Sequence, residues 1–271
     1  MPELPEVETT CRGIAPHIVG HKVTQVTIRQ PRLRWPIPSD LPKLLKGRKL
    51  LTVERRGKYL LLNFHHGTLI IHLGMSGSLR IVEQKNVPQK HDHFDLQVSG
   101  GKQLRLRDPR RFGAILWTED PPTEHPLIKS LGPEPLGDDF NGHYLHSRGT
   151  GRRLAIKQLI MDSKVVVGVG NIYANESLFR AGIQPSRQSS RISLSRYIQL
   201  ATAIREILAA AITQGGTTLR DFQREDGRPG YFAQELQIYG KSGLPCPSCG
   251  TPIRSKTIGQ RTTFFCSNCQ R

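Results

Sequence analysis

The feature that most constrains the fold of this chain is a set of four cysteines near its C-terminal end. Two Cys-x-x-Cys pairs are separated by 16 residues, and the cysteines are Cys246, Cys249, Cys266 and Cys269. In a chain that does not begin with a secretory signal, this spacing predicts one structural zinc ion bound by four thiolates rather than two disulfides. Four protein ligands complete the tetrahedron around zinc, so we expect the metal to support folding and not to bind substrate.

The charge of the chain indicates the kind of partner that it binds. It has 39 Lys and Arg against 22 Asp and Glu, a formal net charge of +17, which favours a polyanion and most often a nucleic acid. A membrane is not expected, because no basic amphipathic anchor is evident and no apolar run approaches the roughly 20 residues of a membrane helix. The acidic start, Met1–Glu6, lacks the features of a secretory signal, so we expect a cytoplasmic protein.

The spacing of apolar residues divides the chain into regions. A helix is predicted from Pro5 to about Val19, followed by short segments with period-two alternation that are typical of a β-sandwich or a barrel-like pair of sheets. The segment Ser99–Lys102 predicts a hairpin turn. Prolines and glycines between Thr118 and Gly142 predict a linker, and apolar residues at helical spacing then predict a long helix that ends before Gly215-Gly216.

The first residues of the chain can support covalent chemistry. Met1 precedes the small residue Pro2, so removal of Met1 would expose a secondary amine. Such an amine can attack an electrophilic carbon and form an iminium that accepts electrons, with Glu3 and Glu6 as acid–base candidates. Proline and glutamate are also ordinary residues at the start of a helix, so this pattern alone leaves both interpretations open.

Several long motifs resemble bacterial formamidopyrimidine-DNA glycosylases, and the likeness covers essentially the whole chain. The motifs are Met1–Thr9, Arg56–Leu60, His72–Gly77, Lys90–His93, Asp108–Gly113, Val167–Ala174 and Pro229–Phe232, with Gln260-Arg261 inside the finger. The resemblance implies an α+β multidomain fold. Its parts are an N-terminal helix with a catalytic β-sandwich (1–135), a linker (136–150), a helix-two-turn-helix domain (151–234) and a four-cysteine zinc finger (235–271).

The resemblance also implies a bifunctional glycosylase and AP lyase. Such an enzyme removes 8-oxoguanine and formamidopyrimidines from double-stranded DNA, acts as a monomer and needs no organic cofactor. Pro2 is then the nucleophile that forms a Schiff base at C1′ of the damaged nucleotide, and Glu3 is its partner acid. Lys58 matches the proton donor of β-elimination, and Arg261 matches that of δ-elimination.

Further residues match the family's DNA contacts. Met75, Arg110 and Phe112 resemble a set that fills the space left by an extruded base, with the arginine reaching the estranged cytosine. The remaining contacts implied by the resemblance are His91, Arg152 and Asn171. Lys157 is a further candidate for DNA binding, because it lies in a run of basic residues between 148 and 164. A helix–turn segment such as 165–171 can present backbone N–H groups to phosphate.

Two alternatives remain at this point. An enzyme similar to endonuclease VIII would share the prolyl amine and the finger but remove oxidised pyrimidines. A non-enzymatic zinc-finger DNA-binding protein would explain the charge and the cysteines but not the N-terminus. The start of the chain, the Met75, Arg110 and Phe112 set and the long loop Thr217–Tyr231 favour the enzyme for oxidised purines.

Overall fold

The computed structural model describes residues 2–215 and 236–271, which fall into two compact units. The first unit comprises residues 2–130 with 214–215, and the second comprises residues 131–213 with 236–271. The motif Pro229–Phe232 and the loop Thr217–Tyr231 lie outside the described residues.

Two antiparallel sheets of four strands make up most of the first unit. Its helices are α1 (Leu4–Ile18), α2 (Leu41–Leu45) and α3 (Pro126–Lys129), with a short 3-10 helix at Pro122–Glu124. Its strands are β1 (Val23–Ile28), β2 (Thr52–Arg56), β3 (Tyr59–Phe64), β4 (Gly67–His72), β5 (Ser78–Glu83), β6 (Asp92–Val98), β7 (Lys102–Arg107) and β8 (Ala114–Thr118). The sheets have the orders β1-β6-β7-β5 and β2-β3-β4-β8.

One hydrophobic core joins the two sheets and α1. It contains Phe94, Leu96, Leu104 and Leu106 from one sheet, Leu60, Leu62, Leu69 and Ile71 from the other, and Val7, Ile14 and Ile18 from α1. Burying each of these side chains contributes about 1.5–3 kcal/mol, so the core fixes the position of α1 against the sheets. The predicted N-terminal helix and β-sandwich are confirmed, and the Ser99–Lys102 turn joins β6 to β7 as expected.

The second unit is helical and ends in the cysteine-rich segment. Its helices are α4 (Gly142–Gly149), α5 (Ile156–Met161), α6 (Asn171–Arg180) and α7 (Leu194–Thr213), with a 3-10 helix at Ser189–Arg191. A two-stranded hairpin, β9 (Arg254–Ile258) and β10 (Arg261–Phe265), lies between the two cysteine pairs. The long helix expected before Gly215-Gly216 is α7.

The segment predicted as a linker, 136–150, contains a helix instead. Within it, α4 packs against α7, and a Cβ atom on Gly142 would lie 2.6 Å from the backbone nitrogen of Ile198. Only glycine allows this close approach, so the segment is an integral part of the second unit. No helix within residues 2–215 and 236–271 is long and apolar enough to cross a membrane.

Candidate functional site

Pro2 and Glu3 lie at the N-terminal end of α1, where both side chains are buried. Glu3 is the N-cap residue, and its backbone N–H donates a hydrogen bond of 2.8 Å to Oε2 of Glu6. This bond satisfies a backbone donor at the helix start, where the helix dipole also favours negative charge. The fold thus holds two buried carboxyl groups within four residues of the predicted nucleophile.

Arg55 ties α1 to the turn that carries Lys58. Its Nε lies 2.6 Å from Oε2 of Glu8 in α1, and its Nη1 donates to the carbonyl oxygen of Gly57 over 3.0 Å. Gly57 opens the two-residue turn between β2 and β3 with a φ of +57°, a conformation that favours glycine. Burial opposes ionisation of Glu8, but its bonds to Arg55 and Arg12 outweigh this and hold its pKa below the ordinary value.

His72, at the end of β4, is an unprotonated acceptor in this region. Its Nδ1 accepts a hydrogen bond of 3.0 Å from the backbone N–H of Gly74, and its ring packs against Tyr59. Burial, together with the positive charges of Lys58 and Arg34, lowers the pKa of His72 to about 4. The imidazole therefore stays neutral at physiological pH and accepts a hydrogen bond from the turn that follows β4.

The three residues predicted to fill the space of an extruded base lie on two neighbouring turns. Met75 belongs to the turn 73–77 between β4 and β5, which we name the Met75 turn. Arg110 and Phe112 belong to the loop 108–113 between β7 and β8, which we name the arginine loop. The guanidinium of Arg110 stacks over the ring of Phe112 at 4.8 Å, and Phe112 is 45% exposed. An aromatic ring exposed on a turn is available to a partner.

Backbone conformations with positive φ occur at one predicted contact residue and next to two other predicted site residues. Among the residues that the structure describes, the non-glycine residues in this region of φ are His91, Arg111 and Gln260. His91 is itself a predicted DNA contact, while Arg111 follows Arg110 and Gln260 precedes Arg261. Such conformations cost energy and persist where the surrounding structure enforces them, often at functional sites.

The four cysteines of the predicted zinc site come together. Their sulfur atoms all lie within 4.8 Å of one another, with Cys246 and Cys269 3.9 Å apart and Cys249 and Cys266 3.5 Å apart. Zinc–sulfur bonds of about 2.3 Å in a tetrahedron place the sulfurs about 3.8 Å apart, so the cluster fits one zinc ion. The metal closes a segment whose own apolar core is small and consists largely of Phe179, Ile238 and Ile253 beside the cysteines.

Lys157 differs from its predicted role as a DNA contact. It is fully buried, and its Nζ donates to Oγ1 of Thr263 (2.7 Å) and to the carbonyl oxygen of Thr262 (3.2 Å). A side chain that is fully buried and bonded to the hairpin does not present its ammonium to a phosphate at the surface. We therefore correct the interpretation: Lys157 holds the finger hairpin against α5.

The other predicted residues of the second unit surround the same hairpin. Nδ2 of Asn171 donates to the carbonyl oxygen of Thr262 over 3.1 Å, and Asn175 in α6 accepts the N–H of Phe264 over 2.8 Å. Arg261 begins β10 and is exposed, and a cavity of about 230 Å³ lies between it and α5. Arg152 is half-buried on the loop before α5.

Sequence reasoning missed three side chains that organise this site: Arg55, His72 and Asp108. His72 and Asp108 lie inside motifs that resemble the family. Their position in these motifs is the feature of the sequence that could have indicated their importance. Their function as connectors depends on partners that are distant in the chain, which no local pattern reveals.

A buried N-terminal proline on a β-sandwich, a helical unit and a four-cysteine finger define a zinc-finger DNA-repair enzyme of the DNA glycosylase class. Family models match residues 1–115 (Formamidopyrimidine-DNA glycosylase N-terminal domain), 131–223 (Formamidopyrimidine-DNA glycosylase H2TH domain) and 243–271 (Zinc finger found in FPG and IleRS). The chain belongs to the formamidopyrimidine-DNA glycosylase family.

Relatives and solved structures match over the full length. The Formamidopyrimidine-DNA glycosylase of Methylococcus capsulatus is 60% identical over 271 residues, all of both chains. The crystal structure of the MutM (Fpg) protein from Thermus thermophilus is 38% identical, with a TM-score of 0.90 over 99% of this chain and 98% of that chain. A variant of Lactococcus lactis Fpg in complex with DNA containing Fapy-dG is 34% identical, with a TM-score of 0.92 over all of both chains.

Proposed function

We propose that this chain removes oxidised purines, 8-oxoguanine and formamidopyrimidines, from double-stranded DNA and then cleaves the resulting abasic site. The observation that carries the proposal is the burial of Pro2 and Glu3 at the start of α1. Arg55 supports it by linking Glu8 of the same helix to Gly57, which precedes Lys58. The Lactococcus lactis relative was solved with DNA that contains a formamidopyrimidine. We further propose that the protein acts in the cytoplasm as a monomer.

The first step uses the amine that removal of Met1 exposes. The Pro2 nitrogen attacks C1′ of the damaged nucleotide, the bond from C1′ to the base breaks, and the base leaves with a proton. Opening of the sugar ring gives an iminium between Pro2 and C1′, in which the positive nitrogen draws electrons from the sugar. Glu3 supplies and accepts the protons of this step.

The later steps break the two phosphate esters of the same sugar. Loss of a proton from C2′ expels the 3′-phosphate in β-elimination, and a second elimination then expels the 5′-phosphate. Lys58 and Arg261 serve these steps as proton donors, and their positive charges stabilise the departing phosphates. Water finally releases Pro2 from the sugar fragment.

Recognition of the lesion requires the base to leave the stack. Met75 and Phe112 occupy the space that it vacates, and Arg110 reaches the cytosine that has lost its partner. His91, Arg152 and Asn171 contact the phosphate backbone and set the register of the protein on the duplex.

Borohydride trapping on lesion-containing duplexes tests the proposal. We expect a covalent adduct with duplex that contains 8-oxoguanine, and peptide mapping should place the DNA on Pro2. A protein that only binds DNA gives no adduct, and an enzyme similar to endonuclease VIII gives a faster adduct with thymine glycol than with 8-oxoguanine. Attachment at Lys58 or another lysine would overturn the mechanism.

A further inference from the structure

We propose that Asp108 is a positioning residue that locks the Met75 turn and the arginine loop into one unit, and that it thereby sets the preference for cytosine opposite the lesion. This inference rests on the proposed function, because it concerns the residues assigned to the vacated space and to the estranged base. Asp108 itself is fully buried and touches neither.

Both carboxylate oxygens of Asp108 are used to connect the two turns. Oδ1 accepts the hydroxyl of Ser76 over 2.8 Å, and Ser76 follows Met75 in the Met75 turn. Oδ2 accepts the backbone N–H of Gly113 over 2.8 Å at the end of the arginine loop. The side chain of Asp108 therefore bonds to the Met75 turn through Oδ1 and to the end of the arginine loop through Oδ2.

Ser76 extends this connection to Arg110. Its Oγ donates to Asp108 and also accepts the backbone N–H of Arg110 over 3.2 Å. The N–H of Arg111 donates to the carbonyl oxygen of Asp108 over 3.2 Å, and Arg111 has the left-handed φ of +56°. Since that conformation is unfavourable for arginine, the loop keeps its shape only while these bonds restrain it.

The backbone of Asp108 also reaches the segment of His91. Its N–H donates to the carbonyl oxygen of His91 over 3.0 Å, and its own carbonyl oxygen lies 2.9 Å from Nε2 of His93. Three segments that each carry a predicted DNA contact thus converge on one buried residue.

The backbones of the two turns approach each other closely. A Cβ on Gly74 would lie 2.5 Å from the nitrogen of Gly113 and 2.6 Å from the carbonyl oxygen of Phe112. A Cβ on Gly113 would lie 2.8 Å from the carbonyl oxygen of His72 and 3.0 Å from Oδ2 of Asp108. Glycine at both positions allows backbone contact, and the Asp108 bonds hold that contact in one register.

The hydrogen-bond partners of the Asp108 carboxyl group support this structural interpretation. A carboxylate close to a DNA-binding loop repels phosphates, so it gives no advantage in affinity. Its two oxygens are instead satisfied by neutral donors of the two turns. Because a buried donor left without its acceptor is unfavourable, removal of the carboxylate should release both turns.

The test separates insertion into DNA from chemistry at Pro2. The variants are Asp108→Ala, Asp108→Asn and Ser76→Ala, with Asp120→Asn as the matched control, since Asp120 is an exposed acid of the same unit. Single-turnover excision of 8-oxoguanine is measured opposite cytosine and opposite adenine. Strand cleavage is measured on a single-stranded abasic oligonucleotide, which has no opposite base. Zinc content and the thermal midpoint show that each variant is folded.

We expect Asp108→Ala to lower excision opposite cytosine by about a hundredfold, the effect of misplacing a contact by about 1 Å, and to reduce the ratio of cytosine to adenine rates. Asp108→Asn and Ser76→Ala keep part of the connection and should each lose about tenfold with the same change in ratio. Cleavage of the abasic single strand and all rates of Asp120→Asn should remain near the unsubstituted values.

Two outcomes would overturn the inference. One is an unchanged ratio in folded Asp108→Ala, or in Ser76→Ala if the alanine variant at 108 does not fold. The other is an equal loss of cleavage activity on the abasic single strand, which would show that Asp108 acts in the chemical steps or in the folding of the protein. If the unsubstituted protein itself does not excise 8-oxoguanine, the proposed function fails, and this result is distinct from both.

Discussion

At the scale of the residue, the proposed chemistry depends on the buried acid next to Pro2 at the start of α1. Glu3 lies next to Pro2 and its side chain is almost wholly removed from solvent. Changing Glu3 to Gln keeps the shape but removes the group that can exchange a proton. The fold at this helix end should survive, because the 2.8 Å bond between the Glu3 N–H and Glu6 uses the backbone of residue 3.

We therefore expect Glu3→Gln to reduce excision by about 10²–10⁴-fold, the usual contribution of a general acid or base, with little change in lesion binding. Single-turnover excision and a binding titration on the same 8-oxoguanine duplex measure the two effects. Glu119→Gln, an exposed glutamate of the same unit, is the control. A parallel loss of binding would show that Glu3 has a structural role instead.

Glu8 provides a prediction about pH. Its pairs with Arg55 and Arg12 lower its pKa in the folded protein despite burial. A depressed acid pKa gives stability that is present above the unfolded value of about 4.3 and is lost as the pH falls through the lower folded value. The thermal midpoint should thus be lower in Glu8→Gln than in the unsubstituted protein at pH 7, and this difference should shrink below about pH 4. A difference that stays constant with pH would exclude the ionised pair as its cause.

The sequence identified some residues of the site and not others, and the reason is physical. Pro2 and Glu3 are predicted because a proline after Met1 can provide a free amine and because the start of the chain resembles the family. Asp108 is not predicted, because the Ser76 hydroxyl becomes its partner only when β4, β5, β7 and β8 assemble. Lys157 was misjudged because a basic segment on a helix is usually solvated, and its burial depends on the distant Thr263.

At the scale of the element, periodicity predicts α1, α7 and the strands because each buries one regular face in a core. It does not predict α4, whose eight residues begin and end with glycine. Glycine is unfavourable within helices, and here packing against α7 overrides that preference. The same dependence on packing holds for α5, which meets the finger hairpin through the buried ammonium of Lys157.

Arg152 and Lys157 are close in sequence, but their different burial predicts different effects on DNA binding. Arg152→Ala should reduce the slope of log affinity against log salt by about one unit if it neutralises one phosphate. Lys157→Met should leave that slope unchanged, because the buried ammonium contacts the hairpin, yet it should weaken binding and δ-elimination by displacing Arg261. Binding titrations at several salt concentrations measure both. A slope that falls by one unit in Lys157→Met would restore Lys157 as a phosphate contact.

At the scale of the whole molecule, each of the two compact units contains residues that the proposed reaction uses. Pro2, Glu3 and Lys58 belong to the first unit, while Arg261 belongs to the finger hairpin of the second. The finger's apolar core is small, and Cys246, Cys266 and Cys269 belong to it or pack against it, while Cys249 is exposed. Metal binding therefore provides most of the free energy that folds this segment.

Zinc removal should consequently affect the two eliminations differently. Chelation, or Cys249→Ser, should unfold the hairpin and displace Arg261, while the core of the first unit contains no zinc ligand and should keep Pro2 in place. We expect duplex binding to weaken and the products on a single-stranded abasic oligonucleotide to shift from δ- to β-elimination, with borohydride trapping on that strand retained. Gel analysis of the strand ends resolves the two products. If δ-elimination continues unchanged after complete metal loss and unfolding of the finger, Arg261 is not its proton donor.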